Sequence, residues 1–303
     1  MKNTFTFLAL TILASCASQQ PAAKSDFSNV KLGTWTQTNE MKGEGVILIP
    51  QWHLGPSINV QSGNVQSGTK LPQETNQRAI YTQLSSWIGA HTVDALLAEG
   101  CEGDIAGLAN KKFNGWSIED LKNELAHQRT IDSILAPIAF KVDARYSKEI
   151  TVTCGDDDKL IKENQLALSN LRGLAGFKLR IEQGTLSAND RQSYVNSAAE
   201  ILKLPRNAKR DVVIAKLNSE IKKSITEFEM AIHLRDEGFI SKANSIRGIK
   251  VIVIGAAHLP DLKAQLAQKN IPFSIWTPVG LDDQDGQLIE QLKAKLNSNE
   301  GQS

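Results

Sequence analysis

The stretch Lys250-Val251-Ile252-Val253-Ile254-Gly255-Ala256-Ala257-His258 decides the fold. Valine and isoleucine at successive positions, not alternate ones, predict a strand buried on both faces, as in a parallel sheet covered by helices. The Gly-Ala-Ala-His step closes the strand, and Pro260 opens the helix expected at 260–269. Working outward, Gly45-Val46-Ile47-Leu48-Ile49-Pro50 reads as the first strand. Val93-Asp94-Ala95-Leu96-Leu97-Ala98 is the second, and Glu149-Ile150-Thr151-Val152-Thr153-Cys154 the third. The 250–254 run is then the fourth, and Pro272-Phe273-Ser274-Ile275-Trp276 the last.

Between these runs the spacing is helical. Gln73 to Gly89 places Ile80, Leu84, Trp87 and Ile88 on one face, and further helices are predicted over about 104–110, 117–127 and 130–143. From Lys159 to Ala243 the pattern is almost wholly helical, broken at Gly184 and at Pro205-Arg206-Asn207. The fold class is therefore α/β, a mostly parallel central sheet covered by helices. A long helical insertion, about 159–247, separates the third and fourth strands. A polar, glycine-rich loop runs from Leu54 to Lys70.

The N-terminus has a different character. Lys2 precedes an apolar run from Phe5 to Leu13, which Leu13-Ala14-Ser15-Cys16 closes. The run is far shorter than the ~20 residues that span a bilayer, so residues 1–15 read as a signal peptide. The site resembles a lipobox, which implies cleavage before Cys16 and acylation of its thiol and new amine. Two or more acyl chains anchor a protein stably to a membrane. Ala17 at the following position implies an outer-membrane address, on the periplasmic side, in a Gram-negative host. Residues 16–42, rich in Ser, Gln, Ala, Thr and Lys, read as a lipidated tether to a single domain over 43–303.

With 34 Lys and Arg against 33 Asp and Glu, the formal net charge is +1, which gives no electrostatic case for nucleic acid. Beyond Cys16 there remain Cys101 and Cys154. In an oxidising cell envelope these two can pair, particularly if the second and third strands are neighbours. The alternatives are two small buried hydrophobes or a soft metal ligand.

The chemistry gathers at strand ends. His53 follows the first strand, Glu99 the second, and His258 the fourth. Ligands of open α/β sheets bind beyond the carboxyl ends of the strands. Two imidazoles and a carboxylate there suit a divalent metal (Zn, Mn, Co or Fe) and suit equally an acid–base pair without metal. Arg235, beside Asp236, is a candidate for binding a developing anion. His91, His127 and His233 have weaker claims, the last two lying in charged helical stretches.

Taken in order, Gln51-Trp52-His53, Leu96-Leu97-Ala98-Glu99-Gly100, His233-Leu234-Arg235-Asp236 and Val253-Ile254-Gly255-Ala256-Ala257-His258 resemble the TraB/TIKI superfamily. Its relatives include the erythromycin esterases and the ChaN-type haem-binding lipoproteins. Three features depart from its pattern. Pro50-Gln51-Trp52-His53 lacks the usual glycine, and Arg235 precedes Asp, not Asn. Thr153-Cys154-Gly155-Asp156-Asp157 matches a Gly-acidic step only loosely. The resemblance implies a membrane-anchored hydrolase, a metal-dependent peptidase or an esterase, acting on a peptide or small-molecule substrate. His53, Glu99 and His258 would hold a metal or position a water, Arg235 would stabilise the oxyanion, and Asp156 or Asp157 would complete the site. The alternative it implies is a non-catalytic lipoprotein binding haem or a metal. Neither a Gly-x-Ser-x-Gly elbow nor a His-Glu-x-x-His helix is present.

Overall fold

Apolar side chains at successive positions of a strand must be buried on both sides, and the central strands are. A computed structural model describes residues 31–52, 72–103, 105 and 138–300. In it, strands β1 (Gly33–Gln37), β2 (Gly45–Gln51), β3 (Ala95–Ala98), β4 (Thr151–Cys154), β5 (Ile249–Gly255) and β6 (Phe273–Pro278) form one sheet. Their order is β1-β6-β2-β5-β3-β4. All neighbours are parallel except β1, which pairs antiparallel with β6. Residues 46–49 of β2 and 251–254 of β5 are fully buried or nearly so.

The pleat sends alternate residues of β2 into different layers. Ile47 and Ile49 pack with Ile80, Leu84 and Ile88 of helix α1 (Pro72–Gly89) and with Ile138 and Val142 of α2 (Ile138–Tyr146). Val46 and Leu48 face the other layer. There they meet Phe239 and Ile240 of α5 (Arg210–Ser245) and Leu262 and Leu266 of α6 (Leu259–Gln268).

The helical insertion comprises α3 (Asp158–Glu182), α4 (Ala188–Ile201) and α5, with turns where Gly184 and Pro205 interrupt the pattern. Because β1 precedes the strands read from the sequence, this insertion falls between β4 and β5. Its core joins Leu171 of α3 and Ile225, Phe228 and Ile232 of α5 to Ile289 and Leu292 of a last helix, α7 (Gln284–Glu300).

One expectation needs correction. The tether was expected to reach residue 42, but Gly33–Gln37 belongs to the sheet, with Trp35 stacked on Trp87 and Trp276 packed against Trp87 edge-on. Polar composition concealed it, since an edge strand exposed on one face needs few apolar residues. Helix α7 also went unread, because its apolar positions are sparse among Gln, Lys and Asn. The signal peptide, Cys16, His53, the 54–70 loop, the helix expected over 104–110 apart from residue 105, the helix expected over 117–127 with His127, and residues 130–137 of the helix expected over 130–143 lie outside the described residues. Among the described residues, no helix is long and apolar enough to cross a membrane.

Gly155 lies between β4 and α3, against α5. A Cβ there would lie 2.0 Å from Cε1 of Phe239, so the α5 ring packs directly on glycine backbone. Gly155→Ala should destabilise the fold by about 1–3 kcal/mol, the usual cost of overpacking a tight core. Gly176→Ala in α3, where an added Cβ meets nothing within 4 Å, should be neutral or stabilising. Thermal unfolding of the two variants beside the parent measures both, and an unchanged midpoint for Gly155→Ala would contradict the packing argument.

Candidate active site

Parallel strands bring their carboxyl ends to one edge, and four segments distant in sequence deliver polar side chains there. Glu99 follows β3, Asp156 follows β4, and the turn 256–258 after β5 carries His258. Helix α5 returns past all of them with Arg235 and Asp236.

Arg235 is the hub. Its Nε donates to Asp156 Oδ1 at 2.8 Å, and its Nη2 donates to Asp156 Oδ2 at 2.6 Å and to Glu99 Oε1 at 2.9 Å. Nη1 donates to Asn164 Oδ1 of α3 at 3.0 Å. A planar guanidinium suits such forked pairing in a way a lysine cannot. Asp156 is further fixed by the backbone N–H groups of Gly100, at 3.0 Å, and Asp157, at 3.2 Å. The first of these needs Gly100 in its left-handed conformation, φ 79°. Burial works against a charged Arg235, but Asp156 and Glu99 outweigh it and hold the guanidinium protonated.

Glu99 is equally committed. Its Oε1 faces both Arg235 and Nε2 of His258, the latter at 3.4 Å. Its Oε2 accepts from the Gly255 N–H at 2.5 Å and from Gln51 Nε2 at 3.5 Å. His258 is 3% exposed, and its Nδ1 lies 2.7 Å from Asp236 Oδ1. Burial pulls the imidazole pKa down, yet the hydrogen bond and charge of Asp236, reinforced by Glu99, raise it to about 9. The ring is therefore an imidazolium at neutral pH, held between two carboxyl groups.

The residues expected at the site thus separate. Glu99, Arg235 and His258 come together, and Asp156 and Asp236 join them. Asp157 does not: its carboxylate caps α3 by accepting from the N–H groups of Lys159 and Leu160. The Arg235-Asp236 step is deeply buried despite the charged residues around it in α5. His91 is exposed in the turn after α1. Asn164 went unread, although it occupies the buried stripe of α3 with Ala167 and Leu171, where a polar residue needs a partner. His53, the remaining expected member, lies outside the described residues.

Glu99 and His258, the two expected metal ligands among the described residues, are already engaged. Both oxygens of Glu99 already accept hydrogen bonds, and both nitrogens of His258 face carboxylates. Among the described residues, no group of three or more His, Cys, Asp and Glu side chains is arranged to hold an ion. Arg235 occupies the place where a cation would balance these carboxylates.

A disulfide links Cys101 and Cys154, with their Cα atoms 5.2 Å apart across neighbouring β3 and β4. Each cysteine stands two residues from a carboxylate that grips Arg235, Cys101 from Glu99 and Cys154 from Asp156. Both sulfurs are buried. Replacing both cysteines by serine should cost about 2–5 kcal/mol.

Arg235→Ala should be similarly costly, because it leaves two buried carboxylates uncompensated. About 3–5 kcal/mol is expected, and Arg235→Lys should recover only part of it. The raised pKa of His258 also sets a pH dependence. Its contribution to stability is complete below the unfolded value of 6.5 and is lost as pH rises to about 9. Denaturant unfolding across pH 6 to 10 measures both effects, and His258→Gln should flatten that decline. Comparison of the chain with family models, with curated proteins and with solved structures returns no significant match.

Proposed function

We propose that this chain is an envelope-anchored hydrolase of peptide or ester bonds, working by acid–base chemistry at Glu99 and His258. The observation that supports this reading most is the buried Asp236–His258–Glu99–Arg235 chain at the carboxyl edge of the sheet. Strongly perturbed titratable groups cluster at functional sites, and an acid paired with a base is what general acid–base catalysis requires.

In this reading His258 Nε2–H is the acid that protonates the leaving amine or alcohol. Asp236 holds the ring through Nδ1 and stabilises its charge. Glu99, 3.4 Å from Nε2, takes the proton of an attacking water. Arg235 pairs with Glu99 and orients it; four of its five N–H donors are already used, so it is a positioning residue here before it is an oxyanion donor. The lipid anchor at Cys16 rests on the lipobox alone and would confine this activity to a membrane surface.

The test is hydrolysis of peptide and ester panels by the purified chain. Glu99→Gln and His258→Ala should each lower the rate at least a hundredfold, a magnitude usual for loss of a general acid or base. Chelator should leave the rate unchanged, and the rate should fall as pH passes about 9, where His258 loses its proton. Haem taken up stoichiometrically with no turnover of either panel would replace the hydrolase by a binding lipoprotein. Loss of activity with chelator, restored by a divalent ion, would return the metal to the site.

A further inference from the structure

The helices of the insertion border a groove of about 560 Å³, lined by α3, by α5 and by the turn that closes α4. That volume is in the range of small-molecule sites. Its floor is apolar, made by Leu174 and Phe177 of α3 with Ile201 and Leu202 where α4 ends. Ile201 is 57% exposed, so this apolar surface is left open by the fold itself. Gly173 also lines the groove. A glycine inside a helix weakens it, and no neighbour demands this one, because an added Cβ would meet nothing within 4 Å. Its missing side chain keeps the floor clear.

The charged lining is Lys203, Lys216, Glu220, Lys223 and Glu227. Lys216 Nζ lies 2.6 Å from Glu220 Oε1, and Lys223 Nζ lies 3.5 Å from Glu227 Oε1. The ammonium of Lys203 has no such partner among the described residues. The groove thus carries one cation beyond its acids. Lys203 is also held in the left-handed region, φ 57°. There its N–H donates to the Glu200 carbonyl at 3.0 Å, and that of Leu204 donates to the Ala199 carbonyl at 2.8 Å. Glycine is the usual residue at that position of a helix-closing turn. A lysine there strains the backbone and gives the groove its unpaired charge.

We infer that this groove binds a single-chain amphiphile with one negative charge, a fatty carboxylate, its chain on the apolar floor and its carboxylate at Lys203. From Lys216 to Glu227 is about 16 Å of helix, over which the groove averages about 7 Å across; that admits one acyl chain and excludes a partner helix, 10–12 Å thick. An extended peptide would lay N–H and C=O groups on the apolar floor without partners. A doubly charged head, such as a phosphate monoester, would exceed the single unpaired cation and face Glu220 and Glu227 with the surplus. The groove lies on earlier turns of α5 than Arg235, and the inference does not rest on the hydrolase reading.

The experiment is calorimetric titration of the purified full chain with octanoate, decanoate and dodecanoate, each kept below the concentration at which it forms micelles. Affinity should rise about threefold or more at each step, since each adds two methylenes to the buried chain. Gly173→Leu places a side chain on the open floor and should weaken dodecanoate about tenfold or more, with the thermal midpoint unchanged or raised. Lys203→Gly should weaken it about fivefold or more while the midpoint holds or rises, because glycine relieves the left-handed turn. A lysine with only a structural role would not separate those two readouts. Gly176→Ala, on the same helix but outside the groove lining, should bind as the parent does. Any one of four results would overturn the site. These are no saturable binding of dodecanoate, equal affinity for all three chain lengths, parent-like binding by Lys203→Gly, and tighter binding of dodecyl phosphate than of dodecanoate.

Discussion

A guanidinium buried against two carboxylates is the constraint on which this structure turns. Placing Arg235 inside is costly in itself, and the cost is offset only when Asp156 and Glu99 are both ionised and correctly aimed. Those two carboxylates come from the ends of adjacent strands, and the arginine comes from a helix inserted between β4 and β5. The sheet edge and the insertion therefore complete one another. The disulfide and Gly155 serve the same end: one ties the two strand ends together, and the other lets α5 come close enough to reach them.

The charge arithmetic also explains why the cluster stays polar. Counting Arg235 and His258 as cations and Glu99, Asp156 and Asp236 as acids, the site would hold an excess negative charge in a water-poor space. Burial and Asp261 push the Asp236 carboxyl up to about 7, so a proton taken up there as pH falls relieves that excess.

Much of this was legible in the sequence, for identifiable reasons. Val251 to Ile254 and Val46 to Ile49 announce strands covered on both faces, and Gly184 and Pro205 mark the turns of the insertion. Glu99 and His258 stand out because each directly follows a strand, where ligands of such sheets gather. What could not be read depended on partners that no local pattern names. Asn164 looks like any polar residue of an amphipathic helix until Arg235 is found opposite it. Asp261 looks like a helix-start acid, favourable at that position in any case, and gives no sign of a second carboxyl beside it. Arg235-Asp236 sits in a run of charged residues that resembles a solvated face. Strand β1 is hidden because only one of its faces meets apolar residues.

Helix α5 carries its pair of functional residues without a break in 36 residues. Each residue added to or removed from a helix turns everything beyond it by about 100°. A single-residue change in length upstream in α5 would thus swing Arg235 away from both acids, or else shear the contacts of Ile221, Ile225 and Phe228 with α3 and α7. Length variation in this block can therefore be absorbed only in the turns on either side of α4. Chains that share this architecture should differ in size there and keep the span from α5 to β5 constant.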